Sequence, residues 1–392
     1  MENNLDHRLS ILFLGTQMAT GGAQRVLLDQ ARWFHEHGHK VSVIFLYDKE
    51  GLHEKWQAFT PVKIINLRAF QGYGKGALRN LVSLVKGLIS LWRYLRREKF
   101  DVIETFTHDS NMMALPVAWL AHVPVRIATH HGVIEGFTRW REIIHSWMVN
   151  HNIAHKLVAV SEKTYQISLR EGVNKEHISV IQNGIVPLPI ENRSRPEVRK
   201  EAGMGVDDLV LLSVGRLVYQ KAHEILIACM PEVLREFPNA KVWIFGEGPL
   251  RTDLQAQVEL FGLSNSVKLP GKSDHIPSLL ASADIFVLPS RWEGLPIALL
   301  EAMSAGLPCI STKVEGVDEV LVEGKHGLFV PIENSEMLAQ AILQLLRYPE
   351  IRRKMGVAAR EHISTSYTVD RMCGEYLELM LSLWRKNNNA AK

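Results

Sequence analysis

The chain has 392 residues, 46% of them hydrophobic and 22% charged; one hydrophobic core does not serve that length, and this composition excludes a disordered chain. The longest early apolar run, Ile11 to Gly15, is too short for a membrane span or a signal peptide, so a cytoplasmic protein is expected. Net charge is +3, but residues 1–190 carry 22 Lys and Arg against 16 Asp and Glu and the remainder 23 against 26, a basic first half that alone does not choose among nucleic acid, membrane surface and anionic substrate.

Short apolar runs alternate with helical periodicity from the start. A strand at Ile11–Leu14 is followed by a helix at Gln24–His37, and strands at Val41–Leu46 and Val62–Leu67 by a long helix at Ala77–Arg97. Further strands fall at Val102–Ile103, Arg126–Thr129 and Leu157–Val160. This is the rhythm of a parallel sheet with helices on both faces. The prolines and polar residues of Val186–Pro196 interrupt it as a linker would. It restarts with strands at Leu209–Val214, Val242–Phe245, Val267–Leu269, Ile285–Leu288 and Pro308–Ser311, and with helices at Ala222–Glu236, from Leu250, and at Ile297–Ala305. The fold class expected is α/β, with two doubly wound Rossmann-like domains facing across a cleft. The boundaries expected are 1–187, 188–366 and a C-terminal helical segment 367–392 packing back towards the first domain. Ligands of such sheets bind beyond the carboxyl ends of the strands, so the chemistry belongs in post-strand loops.

Two of those loops carry it. Arg216 ends the strand at Leu211–Gly215 and Lys221 heads the next helix; a guanidinium fork and a point charge at a helix N-terminus suit a diphosphate. Glu293 and Glu301 flank a helix start, where they can accept from sugar and ribose hydroxyls. Gly294 lets the chain pass close to a ligand, and the N–H groups of Gly294 and Leu295 suit an anion or a sugar oxygen. No Asp-x-Asp occurs and no His, Asp and Glu group has ligand spacing in the sequence, so neither a cofactor nor a metal bridging a diphosphate is expected. The three cysteines, Cys229, Cys309 and Cys373, are scattered and read as buried thiols.

Taken in order, these segments resemble glycosyltransferase family 4, of the retaining GT-B type. The resemblance rests on Val214-Gly-Arg-Leu with Gln220-Lys, Phe245-Gly-Glu-Gly-Pro-Leu250, Ala283-Asp-Ile-Phe-Val-Leu-Pro-Ser290, Glu293-Gly-Leu-Pro with Glu301-Ala-Met-Ser-Ala-Gly-Leu-Pro308, and Gly324–Pro331. Thr20-Gly-Gly-Ala-Gln-Arg25, His131-Gly132 and Asn183-Gly-Ile185 extend it into the first half. It implies that Arg216 and Lys221 hold the donor diphosphate, Glu293 the transferred sugar and Glu301 the ribose. Gly21, Gly22, Gly215 and Gly246 would add backbone contacts, and His131 would meet a sugar hydroxyl, with His130 the competitor. His108 and Asp109 are candidates for acceptor contact or for a turn. Ala222 departs from the family, which usually has glycine there, and Val317-Asp318 replaces a common Pro-Glu.

The expected activity is therefore hexosyl or N-acetylhexosaminyl transfer from a nucleotide diphosphate sugar, UDP-linked in most of the family. The acceptor would be a saccharide or a lipid-linked saccharide, in surface polysaccharide or glycoconjugate assembly, with no nucleic acid involved. The Gly271-Lys272 loop that would face the base does not identify it. A sugar-nucleotide epimerase of the same architecture, or transfer to a small soluble acceptor, are the alternatives. A nicotinamide-dependent dehydrogenase is disfavoured because no Gly-x-Gly-x-x-Gly follows the first strand. On the helix at 77–97, Arg79, Lys86, Arg93 and Arg97 share a stripe beside a broad apolar sector. That face either packs on the sheet or holds the protein at the inner face of an anionic membrane.

Overall fold

The computed structural model describes residues 7–72, 74–132, 138–188, 195–201 and 203–390. Most of the stretch read as a linker, 189–194, lies outside them. The chain forms two compact units, residues 1–184 with 369–392 and residues 185–368.

The first unit is a parallel seven-stranded sheet of β1 (Ser10–Met18), β2 (Lys40–Asp48), β3 (Lys63–Asn66), β4 (Val102–Phe106), β5 (Val125–His130), β6 (Lys156–Ala159) and β7 (Ile178–Val180). Its spatial order is β3-β2-β1-β4-β5-β6-β7. The helices are α1 (Gly22–Glu36), α2 (His53–Phe59), α3 (Ala77–Glu98), α4 (His108–Leu120), α5 (Arg139–Asn150) and α6 (Glu162–Arg170). Strands buried on both faces read as continuous apolar runs, as Leu12, Phe13 and Leu14 do. One core joins Leu12, Leu14, Ile44 and Ile103 to Leu91 and Leu95 of α3, Leu115 and Ala118 of α4, and Met148 of α5. On the opposite side, Phe13 packs with Phe34 of α1 at 5.7 Å between ring centroids.

The second unit holds α7 (Arg195–Glu201), β8 (Leu209–Val214), α8 (His223–Glu236), β9 (Ala240–Phe245), α9 (Arg251–Leu260), β10 (Val267–Gly271) and α10 (Ile276–Ser282). It continues with β11 (Ile285–Leu288), α11 (Ile297–Ser304), β12 (Cys309–Thr312), β13 (Gly327–Val330), α12 (Ser335–Arg347) and α13 (Pro349–Ser366). Its sheet, also parallel, runs β10-β9-β8-β11-β12-β13. The last helix, α14 (Val369–Ala390), returns to the first unit, packs on α1, and buries Met372, Cys373, Tyr376 and Met380. All three cysteines are buried free thiols. No helix among the described residues is long and apolar enough to cross a membrane.

α3 does not bury its apolar half. Only Gly87, Leu91 and Leu95 are buried, while Leu78, Leu81, Val82, Val85, Ile89 and Trp92 are all more than 40% exposed. At about 100° per residue these six share a sector about 100° wide, and Arg79, Lys86, Arg93 and Arg97 line one edge of it. α4 packs against both α3 and α5; its end exposes Trp119 and Leu120, and α5 exposes Trp140, Ile143 and Trp147.

Candidate active site

In the second unit, β8 and β11 are neighbours, so the loops leaving their carboxyl ends meet. Lys221 ends a short turn of 3₁₀ helix before α8, and its Nζ donates to Glu293 Oε1 at 2.6 Å. The same oxygen accepts from Ser290 Oγ at 2.6 Å. Both partners are largely out of water, with side chains 14% and 5% exposed, so the pair is a feature of the free protein and not a screened surface contact. Arg216, by contrast, is exposed and its guanidinium makes no hydrogen bond or ion pair among the described residues. It is the cation left available to an incoming anion.

Arg291, which sequence reasoning did not single out, holds the two loops in register. Its side chain donates to Glu224 and Glu333, each at 2.6 Å, and to the Tyr219 carbonyl, and it lies 3.7 Å from the centre of the Tyr219 ring. Its backbone N–H donates to Gln220 O at 2.8 Å, and Gln220 Nε2 returns a bond to Trp292 O at 2.9 Å. Lys221 and Glu293 each follow one of these tied residues. In the sequence Arg291 has no neighbour that betrays this role, since its partners lie 42 to 72 positions away.

The glycines act by close approach. A Cβ on Gly246, at φ +146°, would sit 1.8 Å from Gly215 O, and Gly215 N donates to Phe245 O at 3.0 Å. A Cβ on Gly316, at φ +89°, would sit 1.7 Å from Gly294 O. Backbone packing alone therefore requires glycine at Gly246 and Gly316. Leu295 is buried, and Glu301 lies half-buried on α11. Ala222 adopts the left-handed conformation, φ 49° and ψ 38°, which explains why glycine suits this position in the family. His223 follows, 2% exposed, with Nδ1 buried and unpartnered. Burial, and then the Lys221 charge, pull its pKa down to about 3.

In the first unit, Gly21 precedes α1 in extended conformation and supplies no side-chain cap. The first-turn N–H groups at Gly22 thus have the uncapped geometry that accepts anions. His130 ends β5 with Nε2 on Gly132 O at 3.1 Å and Nδ1 3.0 Å from Ser168 Oγ. His131, next in the chain, stacks on Phe106 at 5.2 Å. Both its nitrogens are buried without a partner, and burial draws its pKa down to about 4, so it is neutral at pH 7 with one donor and one acceptor to offer. Between the two adjacent histidines, His131 is the one with both ring nitrogens unpartnered. Asp109 pairs with Arg141, and His108 sits among His130, His145 and Glu171. The fold thus brings together His108, His130 and Glu171 as a group with metal-ligand spacing, which their separation in sequence conceals.

Both units match known protein families. Residues 194–362 match the Glycosyl transferases group 1 family, and residues 20–187 match Glycosyltransferase Family 4. The UDP-Gal:alpha-D-GlcNAc-diphosphoundecaprenol alpha-1,3-galactosyltransferase of Escherichia coli is 28% identical over 77% of this chain and 82% of its own length. The alpha-D-kanosaminyltransferase of Streptomyces kanamyceticus is 33% identical over 48% of this chain and 50% of its own. Among solved structures, Anabaena HepE in complex with UDP and glucose superposes with a TM-score of 0.83 at 21% identity, covering 96% of this chain and all of that one. WaaG, a glycosyltransferase involved in lipopolysaccharide biosynthesis, gives 0.73 at 19% identity, over 94% and 99%. The architecture of two parallel-sheet units is thus the GT-B fold, and the two family matches, in chain order and together spanning most of its length, make this protein a member of glycosyltransferase family 4.

Proposed function

We propose that the chain transfers a hexose or N-acetylhexosamine from a UDP-sugar to a lipid-linked saccharide, with retention of anomeric configuration, at the cytoplasmic face of a membrane. The observation that carries the transfer is the contact between Lys221 and Glu293 at 2.6 Å, beside the uncommitted Arg216. In this reading Arg216 and Lys221 take the donor diphosphate and stabilise the charge that grows on the departing nucleotide, which is usually the largest electrostatic contribution to such a step. Glu293, released from Lys221 as the ammonium turns to phosphate, accepts from a hydroxyl of the sugar. Glu301 accepts from the ribose, Gly22 offers its N–H to the phosphates, and His131 bonds a sugar hydroxyl. The cations do the work that a divalent ion bridging the diphosphate does elsewhere. Support for uridine comes from the UDP-Gal transferase of Escherichia coli and from HepE with UDP and glucose.

The exposed sector of α3 supports a membrane-borne acceptor. An apolar face in contact with water, edged by four cations, has the form of a helix that lies in a bilayer interface. Each cation near an anionic surface contributes about 1 kcal/mol, and the exposed tryptophans suit the headgroup level. The diphosphoundecaprenol in the Escherichia coli relative's name fits such an acceptor.

A panel of sugar nucleotides tests the donor: a ligand at ~100 times its Kd stabilises by about 2.7 kcal/mol, and the UDP-sugar should give the largest rise in Tm. Incubation with that donor alone should leave its sugar unchanged, whereas conversion to an epimer would replace this reading. Transfer should persist in a chelator; loss restored by magnesium or manganese would overturn the cation-only account of the diphosphate. Vesicles test the surface. Wild type should sediment with anionic and not neutral vesicles, and Arg79→Glu, Lys86→Glu, Arg93→Glu together should abolish it; binding indifferent to lipid charge and to these changes would favour a soluble acceptor.

A further inference from the structure

The group formed by His108, His130 and Glu171 belongs to the first unit alone and has no part in the donor reading above. The three residues come from separate elements: the first residue of α4, the last of β5 and the residue that caps α6. One donor atom from each lies within 4.8 Å of the other two. His108 Nε2 stands 3.5 Å from Glu171 Oε2, which is long for a charge-assisted hydrogen bond. It equals the edge of a tetrahedron of ligands about a metal at ~2.0–2.2 Å. The site is dry, with the side chains of His108 and Glu171 3% and 10% exposed.

The tautomer of His130 follows from its partners. Gly132 O, 3.1 Å from Nε2, can only accept, so Nε2 carries the hydrogen and Nδ1 presents a lone pair. Nδ1 faces Ser168 Oγ at 3.0 Å, but that hydroxyl has one proton and a nearer acceptor, Thr164 O at 2.8 Å. A buried lone pair without a firm donor thus points at α6, one turn ahead of Glu171. An imidazole anchored through its other nitrogen to a backbone carbonyl is the usual support of a metal-binding histidine.

The backbone adds an independent sign. Thr107, immediately before His108, has φ 81° and ψ 155°, a region used almost only by glycine and costly for threonine. Its hydroxyl is held 2.9 Å from Thr16 Oγ1. Strain of this kind persists where the surroundings fix the direction of a functional side chain, here His108. Close by, the ring of His145 lies 4.6 Å from that of His108, and its Nδ1 is buried without a partner.

We infer that His108, His130 and Glu171 bind one divalent transition-metal ion of the zinc class. Two imidazoles and one carboxylate select zinc, cobalt or nickel over magnesium and calcium, and three protein ligands leave a fourth position open. The ion would join the carboxyl ends of β4 and β5 to the end of α6.

The test uses the full chain, stripped with a chelator, dialysed and titrated with zinc or cobalt chloride. One equivalent of zinc should be retained through gel filtration and raise Tm by about 5–10 °C at ~100 times its Kd, and cobalt should give the visible absorption of a four- or five-coordinate ion. Glu171→Gln, nearly the same shape, and His108→Asn should each weaken binding tenfold or more, while His151→Gln on the surface should not. Less than a tenth of an equivalent retained, with no change in Tm for either ion, would overturn the inference. So would stoichiometric binding that both variants leave intact, since the ion would then sit on other histidines.

Discussion

The loops after β8 and β11 in the second unit are joined by charge, whereas the end of β5 in the first presents two adjacent imidazoles that carry none. Lys221 pairs with Glu293, and Arg291 with Glu224 and Glu333, and glycines at Gly246 and Gly316 bring the backbones into contact. His130 and His131 are kept uncharged by burial. A site that must meet a diphosphate can keep a buried cation such as Lys221 paired until the ligand supplies a better partner. A site that meets neutral hydroxyls gains more from donors and acceptors already stripped of water, because a buried unpaired nitrogen has its desolvation cost behind it before the ligand arrives.

Substitutions in the charged loops should have the largest effect. Lys221→Ala should slow transfer by ~10²–10³, measured as kcat under saturating donor, and a loss below tenfold would remove Lys221 from the leaving-group role. Glu293→Ala should reduce kcat more than donor affinity and Glu301→Ala the reverse; equal effects on both parameters in both variants would erase the distinction. Arg291→Gln touches no substrate in this scheme, yet should lower kcat by ~10- to 100-fold because it loosens the register of Lys221 and Glu293, and misplacement of about 1 Å can cost that much. Unchanged kcat would show that the loops keep their register without it.

Acid sharpens the comparison through stability. The folded pKa of His223 is about 3 against ~6.5 in an unfolded chain. The unfolded state therefore takes the proton first, and stability is full above pH 6.5 and declines as pH falls. At pH 5 this one group costs ~2 kcal/mol. His155 of the first unit, drawn down to about 4 by burial and then the Arg126 charge, acts in the same direction. Thermal unfolding of His223→Asn and wild type between pH 8 and 5 should diverge by about that amount, and parallel curves would mean that His223 is already solvated. The smallest change is expected for Ala222→Gly, where relief of the left-handed strain and the greater freedom of glycine in the unfolded chain nearly cancel. Tm should move by less than the equivalent of ~1 kcal/mol, and a larger loss would show that the buried methyl of Ala222 matters more than its backbone angle.

The second unit's site was largely legible in the sequence because its chemistry sits in short motifs at strand ends: Arg216, Lys221, Glu293 and Glu301 lie where alternating strands and helices put them. The first unit was less so. His108, His130 and Glu171 are 22 and 41 residues apart, and only the sheet order β4-β5-β6 makes them neighbours. The apolar run that marks β4 in the sequence is Val102–Ile103, and Glu104 interrupts it. Glu104 is fully buried, burial raises its pKa well above the ordinary carboxylate value, and the strand continues through it to Phe106. The outward apolar sector of α3 left both a packed and a membrane-facing reading open, since periodicity marks an apolar face without saying what it meets.

The return of α14 to the first unit bears on the order in which the molecule can be made. On the ribosome, residues 185–368 emerge as one continuous stretch and can close their own sheet. The first unit, though it emerges earlier, has to wait for Val369–Ala390 before Phe13, Phe34 and Tyr376 share one interior. At ~5–20 residues per second, the 184 residues between Gly184 and Val369 amount to a delay of roughly 10–40 s. Through that interval the surface of α1 that receives α14 stays open while its neighbour folds, and a nascent-chain partner such as a chaperone would find its target there.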